Sequence, residues 1–229
     1  DQRGHGDTGW TTPAHAAADG SDLMLEDTRA FIEHLGYDHF VLCGMSMGGM
    51  NSIRYAARHP QGIDALVVVD VAPITEMQGQ LEMEQFRRDS ETMSRFEDFL
   101  ERAVAFNPHR RPERLRYSLL HSLKEAPDGW TWKQDPAIHA DTTGTEEERQ
   151  AFRDQRAAAL LADVQAITTR TLLMRGEISK ILSEQGAHNM VESMKDCESV
   201  VIPGATHNVQ GDNPKDFARE LDAFVRRRS

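Results

Sequence analysis

Short runs of consecutive apolar residues alternate along this chain with stretches in which apolar residues recur every three to four positions. The runs predict buried strands, and the spaced stretches predict amphipathic helices. The continuous, mostly β-branched run at 65–69 is typical of a strand buried on both faces of a parallel sheet. Because strands and helices alternate, the predicted fold class is α/β with a parallel sheet. The predicted strands are 40–43, 65–69, 171–174 and 199–202, and the predicted helices are 23–35, 50–59, 184–194 and 214–227.

The stretch 71–163 has a different character. Charged residues and methionines dominate it, and its apolar residues follow helical spacing. This pattern predicts a helical cap, or lid, inserted between two strands of the sheet. We therefore expect a first core portion at 1–70, a helical cap at 71–163 and a second core portion at 164–229.

One motif carries most of the chemical information. The predicted strand 40–43 runs into G-x-S-x-G at 44–48, centred on Ser46, and the predicted helix 50–59 follows. A serine that attacks a carbonyl must stand clear of its backbone on a tight turn, and the flanking glycines remove Cβ atoms that would clash there. The N–H of Met47 and the helix N-terminus would face the negative charge that develops on the substrate oxygen. The alternative is a glycine-rich strand-to-helix turn with an incidental serine.

A histidine near the C-terminus is the candidate general base. His207 follows the predicted strand 199–202 and a Pro-Gly turn, and it precedes the last predicted helix. In a parallel sheet this position lies at the same edge as Ser46, since both residues follow the carboxyl ends of strands. A neutral imidazole there can take the serine proton during attack and return it to the leaving group. The chain has 10 histidines, so a structural role for His207 stays open, and His5 is expected to hold its loop in place.

Composition and charge argue against several classes of function. The 229 residues carry a net charge of -11, from 26 basic and 37 acidic residues, which argues against nucleic acid and anionic membranes as partners. No apolar run approaches the ~18 residues needed to cross a bilayer. There is no C-x-x-C or H-E-x-x-H spacing, phosphate loop or dinucleotide fingerprint, so no metal and no cofactor is expected. The expected partner is a small-molecule substrate, and the sequence gives no indication of an oligomeric state.

The two cysteines, Cys43 and Cys197, sit in or beside predicted strands, so buried free thiols are expected rather than a disulfide. Free thiols favour a reducing compartment, and we expect a cytoplasmic protein. The chain begins at Asp1 without a methionine. We therefore expect its natural N-terminus, with any targeting signal, to be missing or removed.

Four motifs together give the chain a resemblance to a known family. They are D-x-R-G-H-G at 1–6, G-x-S-M-G-G at 44–49, D-V-A-P at 70–73 and G-A-T-H at 204–207. In these motifs the chain resembles the small serine esterases of the α/β-hydrolase superfamily. The resemblance implies a mostly parallel sheet of eight strands with an inserted helical cap, and esterase activity. It also implies that the first three strands are missing from this chain, together with one of the two oxyanion N–H donors, which leaves the N–H of Met47.

The resemblance leaves the third catalytic residue open. Many α/β hydrolases carry an aspartate in the loop after the seventh strand of their sheet, but the corresponding loop, which starts at Gly176, has Ser179 at that place. The branch that this chain resembles uses instead an aspartate at the end of the sixth strand, which is Asp70 here. Its carboxylate would orient His207 and stabilise the imidazolium. Glu177, or another group, is the alternative acid, and a turn role is the alternative for Asp70.

Two groups of side chains are candidates for the substrate pocket. Met45 and Met47 flank the nucleophile, and Trp130 and Trp132 fall two positions apart in the expected cap. Packing is the alternative role for both groups. The chain is expected to cleave carboxylic esters of small to medium acyl groups through an acyl-enzyme formed on Ser46. The alternative functions are carbon–carbon bond, lactone or thioester hydrolysis by the same triad, and ligand binding without catalysis.

Overall fold

The computed structural model describes residues 1–10, 20–89, 91–135 and 145–227. By their internal contacts the residues form two compact units. The hairpin unit comprises Asp1–Met24 and Gln78–Thr142, and the sheet unit comprises Leu25–Met77 and Thr143–Ser229. The expected role of 71–163 as a cap stays a prediction.

The elements in chain order are α1 (Gly20–Leu35), β1 (Phe40–Met45), α2 (Met47–Arg58), β2 (Ile63–Val69), α3 (Met77–Asp89), β3 (Thr92–Met93), α4 (Phe96–Phe106), α5 (Pro112–Ser122), β4 (Leu123–Ala126), β5 (Gly129–Trp132), α6 (Glu146–Ala166), β6 (Thr171–Gly176), α7 (Glu184–Ser193), β7 (Cys197–Ile202), α8 (Val209–Asp212) and α9 (Pro214–Arg226).

The sheet unit is built on a parallel sheet with the strand order β1-β2-β6-β7. Each neighbouring pair of strands runs parallel. All four strands predicted from the apolar runs are present, and each extends beyond its predicted bounds. The predicted α/β class with a parallel sheet is therefore confirmed. Because the strands are parallel, their carboxyl ends lie along one edge of the sheet, which is where ligands bind in sheets of this kind.

The strand β2 is buried on both faces, as its continuous apolar run predicts. Side chains point alternately to the two faces of a strand. Leu66 and Val68 accordingly belong to one apolar cluster, and Val67 and Val69 belong to the other. Residues of α1, α2, α6 and α7 contribute to the first cluster, and α9 contributes to the second. Among the described helices, none is long and apolar enough to cross a membrane.

The two cysteines are free thiols, as predicted. The prediction that both are buried is wrong for Cys43, which is exposed. The reason is its strand, since β1 pairs only with β2 among the described residues. Cys197 is partly buried at the start of β7, and burial raises the pKa of its thiol to about 12.

The hairpin unit contains α4 and α5 and a three-stranded antiparallel sheet with the order β3-β5-β4. The helical spacing in this part of the sequence did not predict that sheet. Its strands β4 and β5 have 4 residues each, which is the lower limit of length at which alternation indicates a strand. The unit has its own apolar cluster, which includes Phe99, Leu119 and Leu123, and Trp130 and Trp132 of β5 pack against it.

The loop at 1–6 is bound to the end of β5 within the hairpin unit. The N–H of Gly6 donates to the carbonyl of Lys133 at 2.8 Å, and Nε2 of Gln134 lies 3.1 Å from Nε2 of His5. Lys133 also pairs with Asp7 at 2.8 Å, and this hydrogen bond and charge hold the pKa of Asp7 below its usual value. These contacts agree with the structural role expected for His5.

Candidate active site

Ser46 lies at the sharp turn that joins β1 to α2. Its backbone has φ 53° and ψ -121°, and a positive φ is uncommon for a residue other than glycine. The N–H of Ser46 donates to the carbonyl of Val69 at 3.0 Å, and the N–H of Met50 donates to the carbonyl of Ser46 at 2.9 Å. A strained strand-to-helix turn of this kind is the geometry expected for an exposed nucleophile.

Close packing explains the glycines around this turn. A Cβ atom on Gly44 would lie 2.2 Å from the carbonyl oxygen of Gly48, and one on Gly49 would lie 2.6 Å from Cγ1 of Val71. Contacts this short do not occur between real atoms, so a larger residue at either position would displace the turn.

Asp70 follows the last residue of β2 and is 0% exposed. Its φ is also positive, at 53°. Oδ1 accepts a hydrogen bond from the N–H of Gly176 at 2.8 Å. Oδ2 accepts a hydrogen bond from the hydroxyl of Ser179 at 2.5 Å and lies 2.8 Å from Nδ1 of His207. The carboxylate is therefore surrounded by protein donors at a place that water does not reach.

His207 lies on the loop between β7 and α8, and its side chain is 13% exposed. The neighbouring residues fix this loop. The N–H and the hydroxyl of Thr206 both donate to Oδ2 of Asp212, and Asn208 caps α8 with its side chain. The ring is thus held with Nδ1 toward Asp70. When Nδ1 donates to that carboxylate, Nε2 is the nitrogen left to accept a proton.

A contact between α8 and β1 brings the loop of His207 to the strand that leads to Ser46. Nε2 of Gln210 donates to Sδ of Met45 at 2.9 Å, and Met45 is the last residue of β1. Within the described residues no hydrogen bond joins the hydroxyl of Ser46 to the ring of His207. Such a bond is often long without substrate and shortens when substrate binds. The structure thus brings His207 and Asp70 into direct contact at the sheet edge where Ser46 also lies.

The other carboxylate that the sequence left open, Glu177, has a different partner. Its Oε2 accepts a hydrogen bond from the N–H of Gly204 at 2.8 Å, in the turn after β7. The guanidinium of Arg175 donates to three backbone carbonyls of the loop that carries Glu177. In the part of the chain that the structure describes, Asp70 is the carboxylate that contacts the ring of His207, and Glu177 holds a turn.

The remaining predicted site residues lie in different places. Met47 is the first residue of α2, so its N–H is one of the free donors at a helix N-terminus. Met45 and Met47 are half-buried. Trp130 and Trp132 belong to the hairpin unit, where each ring packs edge-on against a phenylalanine with ring centroids 5.3 Å apart. Pocket roles for these four residues stay predictions. Within the described ranges, no group of three or more His, Cys, Asp or Glu side chains could hold a metal ion.

The chain matches the model of a known protein family over most of its length. The model of the Hydrolase_4 family, described as serine aminopeptidase, S33, matches residues 1–214. The chain belongs to this family of α/β hydrolases. The matched residues include the turn at Ser46, the strand end at Asp70 and the loop of His207.

The hydrolase is similar to the esterase Rv0045c of Mycobacterium tuberculosis, with 27% identity over 224 residues that cover 94% of this chain and 69% of the esterase. It is 26% identical over 229 residues to 2-(acetamidomethylene)succinate hydrolase of Mesorhizobium japonicum, covering 98% of this chain and 76% of that enzyme. The crystal structure of E-2-(acetamidomethylene)succinate hydrolase matches with a TM-score of 0.79 at 22% identity, covering 98% of this chain and 79% of that one. The fold of the hydrolase is thus confirmed, and the chain is an enzyme of the α/β-hydrolase superfamily.

Two groups of this hydrolase that donate hydrogen bonds to Asp70 are not evident from the sequence. The hydroxyl of Ser179 and the N–H of Gly176 both donate to Asp70, whereas the sequence marks Ser179 only as a residue that stands where many α/β hydrolases carry an aspartate. One signal was available. Ser179 follows a strand adjacent to the strand that ends at Asp70, so a short side chain with an O–H group can reach that carboxylate.

Proposed function

We propose that this hydrolase is a serine esterase that cleaves carboxylic esters of small to medium acyl groups through an acyl-enzyme. The observation that carries the proposal is the 2.8 Å contact between Nδ1 of His207 and Oδ2 of Asp70. A histidine that donates from one ring nitrogen to a buried carboxylate has the other nitrogen free to act as a base. The strained turn of Ser46 supplies a hydroxyl at the same sheet edge.

In the proposed reaction, Nε2 of His207 takes the hydroxyl proton of Ser46 while Oγ bonds to the carbonyl carbon of the ester. The tetrahedral intermediate collapses when the protonated ring gives its proton to the leaving oxygen, which departs as the alcohol. Water then enters, loses a proton to the same nitrogen and attacks the acyl-enzyme. The carboxylic acid leaves, and the proton returns to Ser46.

The N-terminus of α2 supports the proposed oxyanion site. Negative charge develops on the carbonyl oxygen during attack, and the N–H of Met47 is the donor next to the nucleophile. One such donor is worth about 3 kcal/mol of transition-state stabilisation. The helix α2 is 12 residues long, so its dipole adds a partial positive charge at the same end.

The surroundings of Asp70 support its proposed role as the acid that orients His207. Its hydrogen bonds with Gly176 and Ser179 hold the carboxylate in one orientation, and its complete burial keeps competing water away. A carboxylate held in this way fixes the tautomer and the direction of the ring of His207. Its charge also stabilises the imidazolium that forms during attack.

We propose that the acyl group packs against Met45 and Met47. Both side chains flank Ser46 and are half-buried, and the flexible thioether chain of methionine adapts to acyl groups of different shape. A net charge of -11 favours neutral esters over anionic ones. The esterase name of the relative from Mycobacterium tuberculosis supports an ester substrate.

The segment 71–163 is proposed to act as a lid that sets the acyl preference. Ser46, Asp70 and His207 all belong to the sheet unit, whereas the central part of the segment, Gln78–Thr142, belongs to the hairpin unit. The proposed chemistry therefore resides in one unit, and a lid would act on access and pocket shape.

A fluorophosphonate probe tests the proposed function because it reacts with a serine whose hydroxyl is activated. We expect one probe per chain by intact mass, a labelled peptide that contains Ser46, and loss of p-nitrophenyl butyrate hydrolysis in step with labelling. Ser46→Ala should take up no probe and should keep at most the ~10³-fold catalysis over water that binding and the oxyanion site supply.

Ser193→Ala is the matched control, since the hydroxyl of Ser193 donates only to a carbonyl of its own helix, that of Asn189 at 2.7 Å. This variant should be labelled like the wild type. Ester turnover by Ser46→Ala at the wild-type rate, or a folded wild type that takes up no probe, contradicts the proposal. The second result would indicate a passive ligand-binding site.

A further inference from the structure

We propose that Gln210 is a positioning residue that holds the loop of His207 within reach of Ser46. It would act through the histidine and would touch neither the ester nor the reacting atoms. The inference rests on the proposed function, in which His207 takes the hydroxyl proton of Ser46. It is carried by the hydrogen bond from Gln210 to Met45 and by the buried oxygen of the same amide.

Ser46 and His207 follow the two outermost strands of the described parallel sheet. Ser46 follows β1, His207 follows β7, and β2 and β6 lie between these strands. Because neighbouring strands are about 4.8 Å apart, the ends of β1 and β7 are separated by roughly 14 Å across the sheet. The loop after β7 must therefore extend over β6 and β2 to bring the imidazole ring near the hydroxyl.

Two contacts hold the loop of His207 across the sheet. The first is the contact with Asp70, which follows β2 and so lies one strand short of Ser46. The second is the hydrogen bond of 2.9 Å that Nε2 of Gln210 donates to Sδ of Met45. Met45 is the last residue of β1 and immediately precedes Ser46. Asp70 thus fixes the direction of the ring, and Gln210 fixes the loop at the strand that carries the nucleophile.

The short helix α8 links the side chain of Gln210 to the ring of His207. The N–H of Asn213 donates to the carbonyl of Val209 at 3.0 Å, and Asn208 caps the helix with its side chain. Val209 is 0% exposed and belongs to an apolar cluster of the sheet unit. Since α8 is a hydrogen-bonded turn anchored in the core, a shift of Gln210 would also move His207, which lies just before the cap.

The amide of Gln210 is poorly satisfied, which argues against a role in stability alone. The sulfur that accepts its hydrogen bond is a weak acceptor. Oε1 of the same amide is buried, and no group of the described residues donates a hydrogen bond to it. A buried polar atom without a partner destabilises the folded state. An apolar side chain of the same length would therefore serve stability at least as well, and the polar group is better explained by its effect on the site.

The variant Gln210→Met separates positioning from stability. Methionine has a similar length but no N–H, so it removes both the hydrogen bond and the unpartnered oxygen. We expect Tm at or above the wild-type value, whereas kcat on p-nitrophenyl butyrate should fall by about tenfold, less than the ~10²-fold that a misplacement of about 1 Å can cost. The rate at which a fluorophosphonate labels Ser46 should fall by the same factor, because labelling reports the attack of that hydroxyl alone.

A double-mutant cycle tests whether Gln210 acts through Met45. Met45→Leu removes the sulfur but keeps a similar volume, so it should lower the labelling rate by a comparable factor. In that background Gln210→Met should change the labelling rate by less than about threefold, since the contact is already lost. Gln185→Met is the matched control. Nε2 of Gln185 donates to Oδ1 of Asn189 at 2.8 Å on the exposed side of α7, and this variant should keep wild-type kcat and labelling.

Wild-type kcat in Gln210→Met would overturn the inference. A fall in Tm that accompanies the fall in kcat would overturn it as well, since that result indicates a purely structural role. If Gln210→Met does not fold, Met45→Leu removes the same hydrogen bond from the other side, and wild-type labelling of that variant counts against the inference.

The wild type distinguishes a failure of the inference from a failure of the proposed function. A folded wild type that takes up no fluorophosphonate contradicts the proposed function, and the inference falls with it. A wild type that is labelled and hydrolyses the ester, beside an equally active Gln210→Met, overturns the inference alone.

Discussion

Nδ1 of His207 and Oδ2 of Asp70 lie 2.8 Å apart although 137 residues separate them in the sequence. The parallel sheet explains why these two side chains are in contact. Asp70 follows β2, His207 follows β7, and β6 lies between these strands. The two side chains therefore meet across the carboxyl end of β6, and the loop after β6 supplies Gly176 and Ser179 as further donors to the same carboxylate. The contact depends on three loops at one sheet edge and not on a local motif.

Replacing the acid tests this contact directly. Asp70→Asn should lower kcat by about 10⁴-fold, because the ring loses the partner that fixes its tautomer and stabilises its charge. Glu177→Gln should change kcat by less than about threefold, since Glu177 binds the backbone of Gly204. Steady-state kinetics of both variants on p-nitrophenyl butyrate at pH 8 makes the comparison. A crippled Glu177→Gln beside a nearly normal Asp70→Asn would place the acid after β6.

Gly176 should not tolerate a side chain. A Cβ atom there would lie 2.2 Å from the carbonyl oxygen of Thr206 and 2.6 Å from that of Ala205. Gly176→Ala should therefore cost about 1–3 kcal/mol of stability, a fall in Tm of roughly 2–12 °C, and should lower kcat because the loop of His207 moves. Gly9→Ala is the control, since nothing lies within 4 Å of a Cβ atom there. Thermal melts of both variants provide the measurement, and equal Tm values would contradict the prediction.

The proposed lid should govern selectivity more than chemistry. A variant in which a short Gly-Ser linker replaces 78–142 keeps Ser46, Asp70 and His207 in the sheet unit. We expect this variant to hydrolyse p-nitrophenyl acetate but to lose the wild-type preference along an acyl series from acetate to octanoate. Circular dichroism and a cooperative melt establish that it is folded. An unchanged acyl preference in the folded variant would rule against a lid.

The thiol of Cys197 should be protected in the folded protein. Burial raises its pKa to about 12, and the charges of Asp196 and Glu198 add to the shift. The thiolate is the reactive form, so at pH 8 iodoacetamide should modify this thiol at least about a hundredfold more slowly than in urea. Peptide mass spectrometry distinguishes it from the exposed Cys43. Comparable rates in the two conditions would show that the thiol is not protected.

The same shift has a consequence for stability at high pH. Below pH ~8.5 the thiol is protonated in both the folded and the unfolded state. Between that pH and about 12 the unfolded chain gives up the proton while folded Cys197 keeps it, so the free energy of unfolding falls as pH rises. Cys197→Ala should reduce this alkaline loss in urea melts between pH 8 and pH 10.

The sequence predicted the strands of the parallel sheet well and the hairpin unit poorly, and the physical reason is burial. The strand β2 is enclosed on both faces, so nearly all of its residues are apolar and the run stands out. The strands β4 and β5 are short, and β4 includes Lys124 and Glu125. The charged sequence of α6 placed most of this helix in the predicted cap, 71–163. Its Leu160 and Val164 nevertheless pack in the apolar cluster of the sheet unit, a partner that periodicity alone does not reveal.

One part of the candidate site follows from residues that are neighbours in the sequence. The other part depends on residues that are far apart in it. The turn at Ser46 is local, since the glycines that it needs are its neighbours in the sequence. The choice between Asp70 and Glu177 is not local. Both residues follow parallel strands that lie side by side, and only the folded structure shows that Asp70 contacts His207 while Glu177 binds the backbone of Gly204. The hydrogen bond from the hydroxyl of Ser179 to Asp70 joins loops that are 109 residues apart in the sequence, and no motif encodes it.

Ser46→Gly should raise stability while it removes the proposed nucleophile. A residue other than glycine at φ 53° costs of order 1 kcal/mol, and glycine adopts this conformation without strain. A rise in Tm of about 2 °C is expected after allowing for the greater freedom of glycine in the unfolded chain. Ser193→Gly, at the end of α7, should instead lower Tm. Melts of the two variants against the wild type decide the point, and a lower Tm for Ser46→Gly would contradict it.

Ser46 and Asp70 share the same backbone angle, φ 53°, and this coincidence bears on how the protein can be improved. Backbone strain alone would favour glycine at both positions. The chain has polar side chains at both positions. Two residues with a strained backbone therefore lie on one sheet edge, and both are proposed to take part in the reaction. A search for stabilising substitutions that ranks positions by strain would select these two first and would remove both groups proposed for chemistry. Directed evolution for heat resistance should therefore be confined to helix surfaces and to the hairpin unit.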